Sequence, residues 1–333
     1  MKKLLLISIL CICTYQQLLA QIPTQNIFSQ TQENRENIGF DSTQNFLGNK
    51  NVQSYIGQEL YVTPRPSLML EHGTIKGYKR FKTLKFKPSN NKAFTWEDNV
   101  YGKQVDRGVT AYNDLVSKVF IVDDLEPFRD GYCFILRDKF NANNRCKFIY
   151  EANSPIPPTT DAAPLTSDVF PFYVMAYYEH FVNKFRGRKC VISNSWLKDI
   201  NTGNRPEGNY SEWTITDVKL DADNLLSPFQ LILTDGNRTA VLWKMYIDTW
   251  EEEGIMPMID IEEWQNIIKE RGIQIAECFI FCSVCKGMTL DEVKRSLGRH
   301  LHINTSSYAT TQYTFEHYYV YIENGIVVDW SSR

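Results

Sequence analysis

The sequence predicts a mostly β protein that ends in an α+β domain, and three observations support this fold class. Short alternating apolar segments recur between turn residues, two longer stretches form a weak internal repeat, and the apolar spacing becomes helical near the C-terminus. We therefore predict two small antiparallel barrel-like modules followed by a helix-helix-three-strand domain. The predicted bounds are 1–20 for a signal peptide, 21–51 for a flexible leader, 52–153 and 169–254 for the modules, 154–168 for a linker and 255–333 for the last domain.

Residues 1–20 have the three-part layout of a secretory signal peptide, with two lysines, an apolar run and a small residue, Ala20, at the predicted cleavage point. The apolar run is well short of the ~20 residues that span a bilayer. Cys11 follows Leu10 rather than a small residue, so acylation there is not expected. We expect an exported protein, periplasmic or extracellular, with no lipid anchor and no transmembrane segment.

The leader is rich in Gln and Asn and poor in apolar residues, so it cannot bury enough surface to offset its ordering entropy. The whole chain carries a formal net charge of −3 and has no long run of Lys or Arg. This mildly acidic balance argues against nucleic acid as a partner and against electrostatic docking on anionic lipid.

The internal repeat joins residues 118–152 to residues 213–247. Both copies contain a strand, an Asp-rich turn, the pattern Tyr or Phe-x-x-Ile-Leu-x-Asp, a polar tip and another apolar strand. Asp235-Gly236 in the second copy indicates a tight hairpin, because glycine tolerates a positive φ. The segments "YIGQELYV" and "FRGRKCVI" precede the two copies. We expect residues 134–136 and 231–233 to lie in equivalent strands.

Short strands that recur in this way resemble bacterial Src-homology-3-like small barrels. The resemblance implies loop surfaces that bind peptides or glycans. Between the modules, the predicted linker is rich in Pro, Thr and Ser. The aromatic segment after it, "VFPFYVMAYYEHFVNKFRG", fits either a helix packed on a barrel or a strand, and we favour the helix.

Helical spacing begins after Asp260, which is expected to form a capping box with Glu263. Thr289 and Glu292 predict a second capping box, and Gly298 is expected to end that helix in the αL conformation. The remaining residues predict three strands, with Asn324-Gly325 as the last hairpin turn. A helical apolar stripe supports the second helix: Leu290, Val293 and Leu297.

This C-terminal region resembles the BamE-like (SmpA/OmlA) family over residues 255–333. The matching residues are Gly287, Met288, Thr289, Glu292, Val293, Gly298, Tyr321, Glu323, Asn324 and Gly325. The resemblance implies an assembly or protein-binding module of a cell envelope, and none of the matching residues is catalytic.

Six cysteines remain beyond the predicted cleavage point: Cys133, Cys146, Cys190, Cys278, Cys282 and Cys285. An even number permits disulfides in an oxidising compartment, and their connectivity stays open. The last three have metal-like spacing, but a structural zinc site needs four ligands. Redox Cys-x-x-Cys motifs usually open a helix, whereas these cysteines lie near a helix end. We predict packed or disulfide-paired thiols and no metal.

Other residues offer weaker candidates for chemistry. His300, His302 and His317 are candidate metal ligands, which we interpret as surface histidines. His180 and Cys190 are a candidate base and nucleophile, but no recognised motif surrounds them. Paired aspartates in the turns of both repeat copies are candidate calcium ligands, which we interpret as solvated turn residues: Asp123, Asp124, Asp221 and Asp223.

We therefore assign no catalytic, cofactor-binding or metal residues. The predicted function is an exported, non-catalytic binding or envelope-assembly protein whose partner is an envelope protein, a peptide or a glycan. The alternative is a secreted hydrolase that acts on cell-wall or peptide substrates. A cleft with a shifted pKa would favour the hydrolase, whereas an exposed aromatic groove would favour the binding protein.

Overall fold

The computed structural model describes residues 39–47, 51–73, 76–86, 94–128, 131–150, 161, 163–255, 257–305 and 310–333. The predicted signal peptide, most of the leader and most of the linker lie outside these residues. The chain divides into two compact units. The first unit comprises Met1–Arg65, Met69–Thr159 and Ala163–Tyr177, and the second comprises Pro66–Leu68, Thr160–Ala162 and Tyr178–Arg333.

The helices of the described residues are α1 (Ser67–Glu71), α2 (Tyr112–Leu115), α3 (Ala163–Thr166), α4 (Met175–Phe185), α5 (Lys244–Glu253), α6 (Ile261–Arg271), α7 (Ile273–Ile280) and α8 (Leu290–Leu297). Short 3-10 turns occur at Val52–Tyr55 and Asn194–Trp196.

The strands of the first unit are β1 (Glu59–Val62), β2 (Gly77–Lys79), β3 (Phe81–Phe86), β4 (Phe94–Val100), β5 (Gln104–Asp106), β6 (Val109–Ala111), β7 (Val119–Phe128), β8 (Gly131–Asp138), β9 (Arg145–Tyr150) and β10 (Phe172–Val174). Those of the second unit are β11 (Lys189–Ser193), β12 (Lys198–Asp199), β13 (Tyr210–Leu220), β14 (Phe229–Thr234), β15 (Thr239–Trp243), β16 (Met258–Asp260), β17 (His302–Thr305), β18 (Thr311–Thr314), β19 (Tyr318–Glu323) and β20 (Ile326–Ser332).

The prediction of a mostly β protein with a C-terminal region of helices and strands is confirmed. The first unit contains a seven-stranded sheet in the order β10-β1-β7-β8-β9-β3-β4 and a small sheet β2-β6-β5. The second unit contains a six-stranded sheet, β12-β15-β14-β13-β11-β16, and a four-stranded sheet, β17-β18-β19-β20. Neither large sheet closes on itself within the described residues, so closure into barrels stays a prediction.

Five strands of each large sheet follow the same antiparallel order. The series β10-β1-β7-β8-β9 in the first unit matches β16-β11-β13-β14-β15 in the second. The register shifts at the same place, between Val122 and Asp124 in one copy and between Ile215 and Asp217 in the other. Residues 134–136 and 231–233 therefore lie in equivalent strands, β8 and β14.

The turn before β1 in the first unit matches the turn before β11 in the second. Gly57 has a φ of 82° and its N–H donates to Val122 O at 2.8 Å. Gly187 has a φ of 86° and its N–H donates to Ile215 O at 2.8 Å. Other residues adopt this left-handed conformation only under strain, which explains the glycine in both opening segments.

The core of the first unit is rich in aromatic rings that contact one another: Tyr55, Phe81, Phe134, Phe148, Tyr150, Phe170 and Phe172. Part of the predicted leader packs here as well, because the ring of Phe46 lies 5.5 Å from that of Phe170. Asn45 donates to Phe172 O and accepts from Val174 N, both at 2.8 Å. Packed structure thus begins ahead of residue 52.

A buried arginine fixes the loop before β10. Arg65 is 2% exposed, and its Nη1 donates to the carbonyl oxygens of Leu165 and Ser167 at 3.0 and 3.1 Å. Its Nη2 lies 2.7 Å from Asp168 Oδ1, and the guanidinium lies 4.6 Å from the ring centre of Tyr78. Charge-assisted bonds of this kind compensate the cost of burying the cation.

In the second unit, one core joins the six-stranded sheet to the C-terminal region. Val191 and Ile259 from the sheet lie in the same buried cluster as Trp264, Phe279 and Val293 from the helices that follow. Strand β16 is the edge strand of that sheet and leads directly into α6. The C-terminal helices therefore pack on the sheet of the second repeat copy.

The C-terminal region has more elements than the sequence predicted. Gly272, with a φ of 86°, separates the expected first helix into α6 and α7. The expected middle strand is two strands, because Phe315 N donates to Tyr318 O and the chain turns between β18 and β19. Asn324 and Gly325 both have positive φ angles, 50° and 80°, so the predicted hairpin turn is confirmed.

One predicted capping box is confirmed and the other is wrong. Thr289 Oγ1 accepts from Glu292 N, and Glu292 Oε2 accepts from Thr289 N. Asp260 occupies an N-cap position but makes no capping bond, because Arg188 binds its carboxylate at 2.8 Å. Gly298 has a φ of 82° and a ψ of −153°, which requires glycine but is not the αL conformation that we predicted.

Candidate functional site

Four aromatic residues form a half-buried cluster in the second unit. The aromatic cluster consists of Trp196, Trp243, Tyr246 and Trp250. The ring of Trp196 lies 5.5 Å from that of Tyr246 and 5.2 Å from that of Trp250. Tyr246 lies 5.8 Å from Trp243 and stacks at 6.3 Å on Trp250. Three of the four rings keep partial access to solvent, whereas Trp250 is 4% exposed.

Local sequence places three of these rings on one side of α5. Tyr246 and Trp250 are four residues apart on the helix, so they share a face. Trp243 is the last residue of β15 and the N-cap of the same helix. Its indole Nε1 is buried and has no hydrogen-bond acceptor among the described residues. The cluster therefore keeps one unused donor, which is uncommon for a buried polar atom.

Trp196 reaches the cluster from a 3-10 turn that is held by Asn194. This asparagine is 1% exposed, and its Nδ2 donates to Glu207 O at 2.8 Å and more weakly to Gly208 O at 3.3 Å. Its Oδ1 accepts from Trp213 Nε1 at 3.2 Å. Its Nδ2 also lies 3.3 Å from Ser211 Oγ. Asn194 thus fixes the loop that carries Trp196, since a buried amide with four bonded partners resists displacement.

A charged group lies at the start of α5. Lys244 Nζ lies 2.9 Å from Asp161 and 2.7 Å from Asp248. Burial alone would lower the pKa of Lys244, but the two carboxylates outweigh it and the pKa is raised. Burial raises the pKa of Asp248, although Lys244 opposes this. Lys244 therefore stays charged and paired beside the cluster.

A basic pocket opens at the other end of α5. It has a volume of about 490 Å³ and is lined by Glu253, Gly254, Lys294, Arg295, Gly298, Arg299 and His300. Gly254 N donates to Trp250 O, so the pocket begins one helical turn beyond the aromatic cluster. Cations at this place complement the partial negative charge at the C-terminal ends of α5 and α8.

Part of the positive charge in the basic pocket is not neutralised. Arg295 Nη2 lies 2.6 Å from Glu263 Oε1, and its guanidinium stacks at 4.8 Å on Phe279. The atoms of that ion pair are not aligned as in a hydrogen bond. Arg295 Nε and Nη2 therefore have no hydrogen-bond partner among the described residues. Among the residues that the structure describes, the acidic partner of Lys294 is Asp291, at an exposed 3.8 Å, and Arg299 is exposed. The pocket suits an anionic group.

The cysteines of the two large sheets are poor nucleophiles. Cys133 and Cys190 are fully buried, and burial raises the pKa of each thiol to about 12. Cys146 is also fully buried, and burial raises its pKa. His180, the candidate base for Cys190, is exposed on α4. A cysteine that acts as the nucleophile of a hydrolase needs a lowered pKa. These three thiols have raised pKa values and are therefore unsuited to that role.

The three C-terminal cysteines do not act as one group. Cys285 lies beside the helical turn that precedes Cys278, since its Sγ is 4.0 Å from Gln274 O, and its thiol helps to raise the pKa of the Cys278 thiol. Cys282 has a φ of 49°, and burial raises its pKa to about 11 with a smaller contribution from Glu253. Among the described residues, no three His, Cys, Asp or Glu side chains approach closely enough to hold a metal ion.

The structure separates the predicted histidine group. His300 lies before β17, lines the basic pocket and contacts the ring of Tyr313 edge-on at 5.4 Å. His302 is exposed on β17, and His317 is exposed in the turn after β18. His300 therefore lies outside the strand that carries His302.

The aspartates of the two repeat copies bind protein groups. Asp123 pairs with Arg137 at 3.0 Å and with Arg145 at 2.8 Å. Asp221 accepts from Gln230 Nε2 at 2.8 Å, and Asp223 accepts from Ser67 N at 2.6 Å. The remaining member, Asp124, accepts from its neighbour's N–H. Asp123 and Asp124 lie within strand β7, so their interpretation as turn residues is wrong, whereas Asp221 and Asp223 lie in the turn between β13 and β14.

The aromatic cluster was not predicted from the sequence. The segment "WKMYIDTW" places aromatic residues three and seven positions after Trp243, which is a helical spacing. Trp196 is distant in the chain and joins them only through the fold. The basic pocket has a similar origin, since Gly298 separates Lys294-Arg295 from Arg299-His300 and the chain turns sharply there.

Comparison with known proteins gives no family for this chain: no family model matches it, and no curated protein or solved structure matches it significantly.

None of the helices in the described part of the chain has the length and apolar character that crossing a bilayer requires.

Proposed function

We propose that this is an exported, non-catalytic protein that binds cell-wall glycan through the aromatic cluster of its second unit. The observation that carries the proposal is the group of half-buried rings formed by Trp196, Trp243 and Tyr246. Export is supported by the signal-peptide layout of residues 1–20. The binding role is supported by the position of the rings, which lie on helix and strand ends rather than deep in the core.

Aromatic faces suit sugar rings for a physical reason. The face of an aromatic ring carries partial negative charge, and the C–H groups on one side of a pyranose are apolar and slightly positive. Tyr and Trp also lose little side-chain entropy on binding, because each has only two rotatable χ angles. Stacking on such rings is therefore a favourable way to hold a sugar without enclosing it.

The basic pocket supports a glycan that carries carboxylates. The pocket that Lys294, Arg295 and Arg299 line begins at Gly254, one helical turn beyond Trp250, so a glycan that extends along α5 from the aromatic cluster would reach it. Guanidinium groups bind carboxylates through short, charge-assisted bonds. Peptidoglycan has both features, because its sugar strands carry peptide stems that end in carboxylates.

The strand order supports the proposal that each repeat copy is a small barrel of the Src-homology-3-like type. In each sheet the strand of the series that comes first in the chain lies between the second and the last: β1 lies between β7 and β10, and β11 lies between β13 and β16. We also propose that the C-terminal region is a BamE-like module that docks an envelope partner. The capping box at Thr289 and the hairpin at Asn324-Gly325 support this resemblance.

Co-sedimentation with purified peptidoglycan sacculi tests the glycan proposal. Trp196→Ala and Tyr246→Ala should each weaken binding about 10-fold or more, as for central aromatic contacts in interfaces. Phe140→Ala is the matched control, because Phe140 is 68% exposed on a hairpin of the first unit. Equal binding by all three variants and the unchanged protein would reject the aromatic cluster as the site.

The basic pocket is tested with a second pair of ligands and variants. Chitin oligosaccharides have similar sugars but no carboxylates, so they should bind more weakly than solubilised peptidoglycan fragments. Arg299→Ala should remove that difference and reduce the salt dependence of binding. Arg205→Ala, at another exposed arginine of the second unit, should leave both unchanged. Binding of isolated stem peptides as strong as that of the whole fragment would mean a peptide-binding protein.

A further inference from the structure

Cys278 and Cys285 form a close pair at the end of α7. The Cys285 thiol is close enough to that of Cys278 to help raise its pKa. Independently, Cys285 Sγ lies 4.0 Å from Gln274 O, the carbonyl one helical turn before Cys278. Side chains on a helix lean towards its N-terminus, so Cys278 Sγ extends over that same turn. The contact of Cys285 Sγ with Gln274 O therefore brings the two sulfur atoms close together.

The loop that carries Cys285 is held against α7 by hydrogen bonds. Ser283 N donates to Cys278 O at 2.9 Å. Ser296 Oγ bridges the carbonyl oxygens of Cys278 and Ser283, at 2.7 and 2.6 Å. Cys285 N lies 3.4 Å from Met288 Sδ, and Met288 is fully buried. The approach of the two thiols is thus a fixed feature of the fold.

Cys282 lies apart from this pair. Its backbone has a φ of 49°, which no other described cysteine shares. The charged group that acts on its thiol is Glu253, at the C-terminal end of α5. The spacing that suggested three metal ligands therefore separates into one pair and one single thiol.

We propose that Cys278 and Cys285 are a redox modification site at which an intramolecular disulfide forms by exchange with the disulfide of a small thiol. First, the Cys285 thiolate attacks a sulfur of the external disulfide and releases one external thiol. Next, Cys278 loses its proton and attacks the Cys285 sulfur, which releases the second external thiol. The protein loses two hydrogens, and the external disulfide gains two electrons and two protons.

The order of these steps follows from accessibility. Cys285 is half-buried, whereas Cys278 is 7% exposed. Burial raises the pKa of the Cys278 thiol to about 12, so it reacts only after the sulfur of Cys285 has been activated beside it. The closed ring fixes the loop that carries Val284 and Met288, two buried residues of the core. Formation of this disulfide does not depend on glycan binding by the aromatic cluster.

The test uses the full chain, reduced, treated with oxidised glutathione and analysed by intact mass after alkylation of the remaining thiols. We expect a species that has lost two hydrogens and carries no glutathione. One tryptic peptide, residues 272–286, contains all three cysteines, so the Cys282→Ser variant identifies the pair. That variant should still lose two hydrogens, and its Tm should rise by about 5 °C on oxidation.

Two further variants make the result decisive. Cys278→Ser removes the second thiol of the pair, so Cys285 should accumulate a stable glutathione adduct. Cys285→Ser should give neither that adduct nor the internal disulfide, and circular dichroism should show it folded. The proposal is overturned if Cys282→Ser abolishes the internal disulfide, or if the unchanged protein accumulates only glutathione adducts.

Discussion

The two repeat copies share a strand order but place their aromatic residues differently. In the first unit, Phe134 and Phe148 are cross-strand partners inside an aromatic core. The equivalent partners in the second unit are Leu231 and Leu242, which are fully buried and aliphatic. The second unit has its aromatic cluster outside that core, at the ends of β15 and α5. One framework thus serves mainly for packing in one copy and, we propose, for binding in the other.

Buried polar residues follow β1 in the first unit and β11 in the second, and these residues also differ. In the first unit Arg65 binds the loop that ends at Asp168. In the second unit Asn194 binds the loop at Glu207 and the indole of Trp213. The residues that come just after these strands therefore make a charged contact in one copy and a neutral contact, next to the aromatic cluster, in the other.

Arg65→Ala should have the largest effect on stability. It leaves buried carbonyl oxygens without their donor and the Asp168 carboxylate with only Lys79, at 3.6 Å; removing one partner of a buried ion pair typically costs about 3–5 kcal/mol. Urea unfolding measures the loss, and hydrogen exchange should place it in the first unit. Arg107→Ala, at an exposed arginine of that unit, is the control and should change stability little. An equal loss for both variants would contradict this role of Arg65.

Asn194→Ala should cost about 2 kcal/mol, since Glu207 O and the Trp213 indole N–H lose their partner in a buried site. It should also weaken glycan binding, because Trp196 would lose its fixed turn. Thermal unfolding and sacculus co-sedimentation measure the two effects. Asn201→Ala, at an exposed position, should show neither. If Asn194→Ala were destabilised but bound normally, the turn would not position the cluster.

Thr289→Ala should lower stability by about 1 kcal/mol, because it removes the side chain that accepts from Glu292 N at the start of α8. Thr289→Ser keeps the capping oxygen and should recover most of the loss. Chemical unfolding of the two variants in parallel provides the measurement. A Ser variant as unstable as the Ala variant would show that the cap is not the cause.

Glu292→Gln should have the smallest effect, about 0.5 kcal/mol at neutral pH, since glutamine also suits a capping box. Partial burial raises the pKa of Glu292, but Arg271 and the Thr289 N–H outweigh it and the pKa is lowered. A lowered carboxyl pKa stabilises the fold above the unfolded value of 4.5, and this stability is lost as the pH falls through the folded value.

The difference between Glu292→Gln and the unchanged protein should therefore be greatest near neutral pH and disappear in acid. Urea midpoints measured from pH 7 to pH 3 test this dependence. A difference that grows as the pH falls would have the wrong sign.

Local patterns were sufficient to predict local structure. Asp235-Gly236 and Asn324-Gly325 mark hairpins because few other residues accept the backbone they need. The Thr289 capping box needs only neighbours in the chain. Asp260 has the same local pattern, but Arg188, distant in sequence, binds its carboxylate and the box does not form.

The candidate site could not be predicted in the same way. Trp196 meets Tyr246 only because the 3-10 turn at Asn194–Trp196 and helix α5 lie side by side in the fold. Likewise, the thiols of Cys278 and Cys285 meet through a loop that Ser296 holds in place. Such contacts depend on tertiary structure, which spacing along the chain does not contain.

Hydrogen exchange with and without solubilised peptidoglycan fragments tests the central claim most directly, because it compares both copies of the framework in one experiment. We predict that the ligand slows exchange at residues 194–197 and 243–254 of the second unit, around the aromatic cluster. The equivalent strands β8 and β9 of the first unit should exchange at the same rate with and without ligand. Protection of the first unit alone, or of neither unit, would contradict the account.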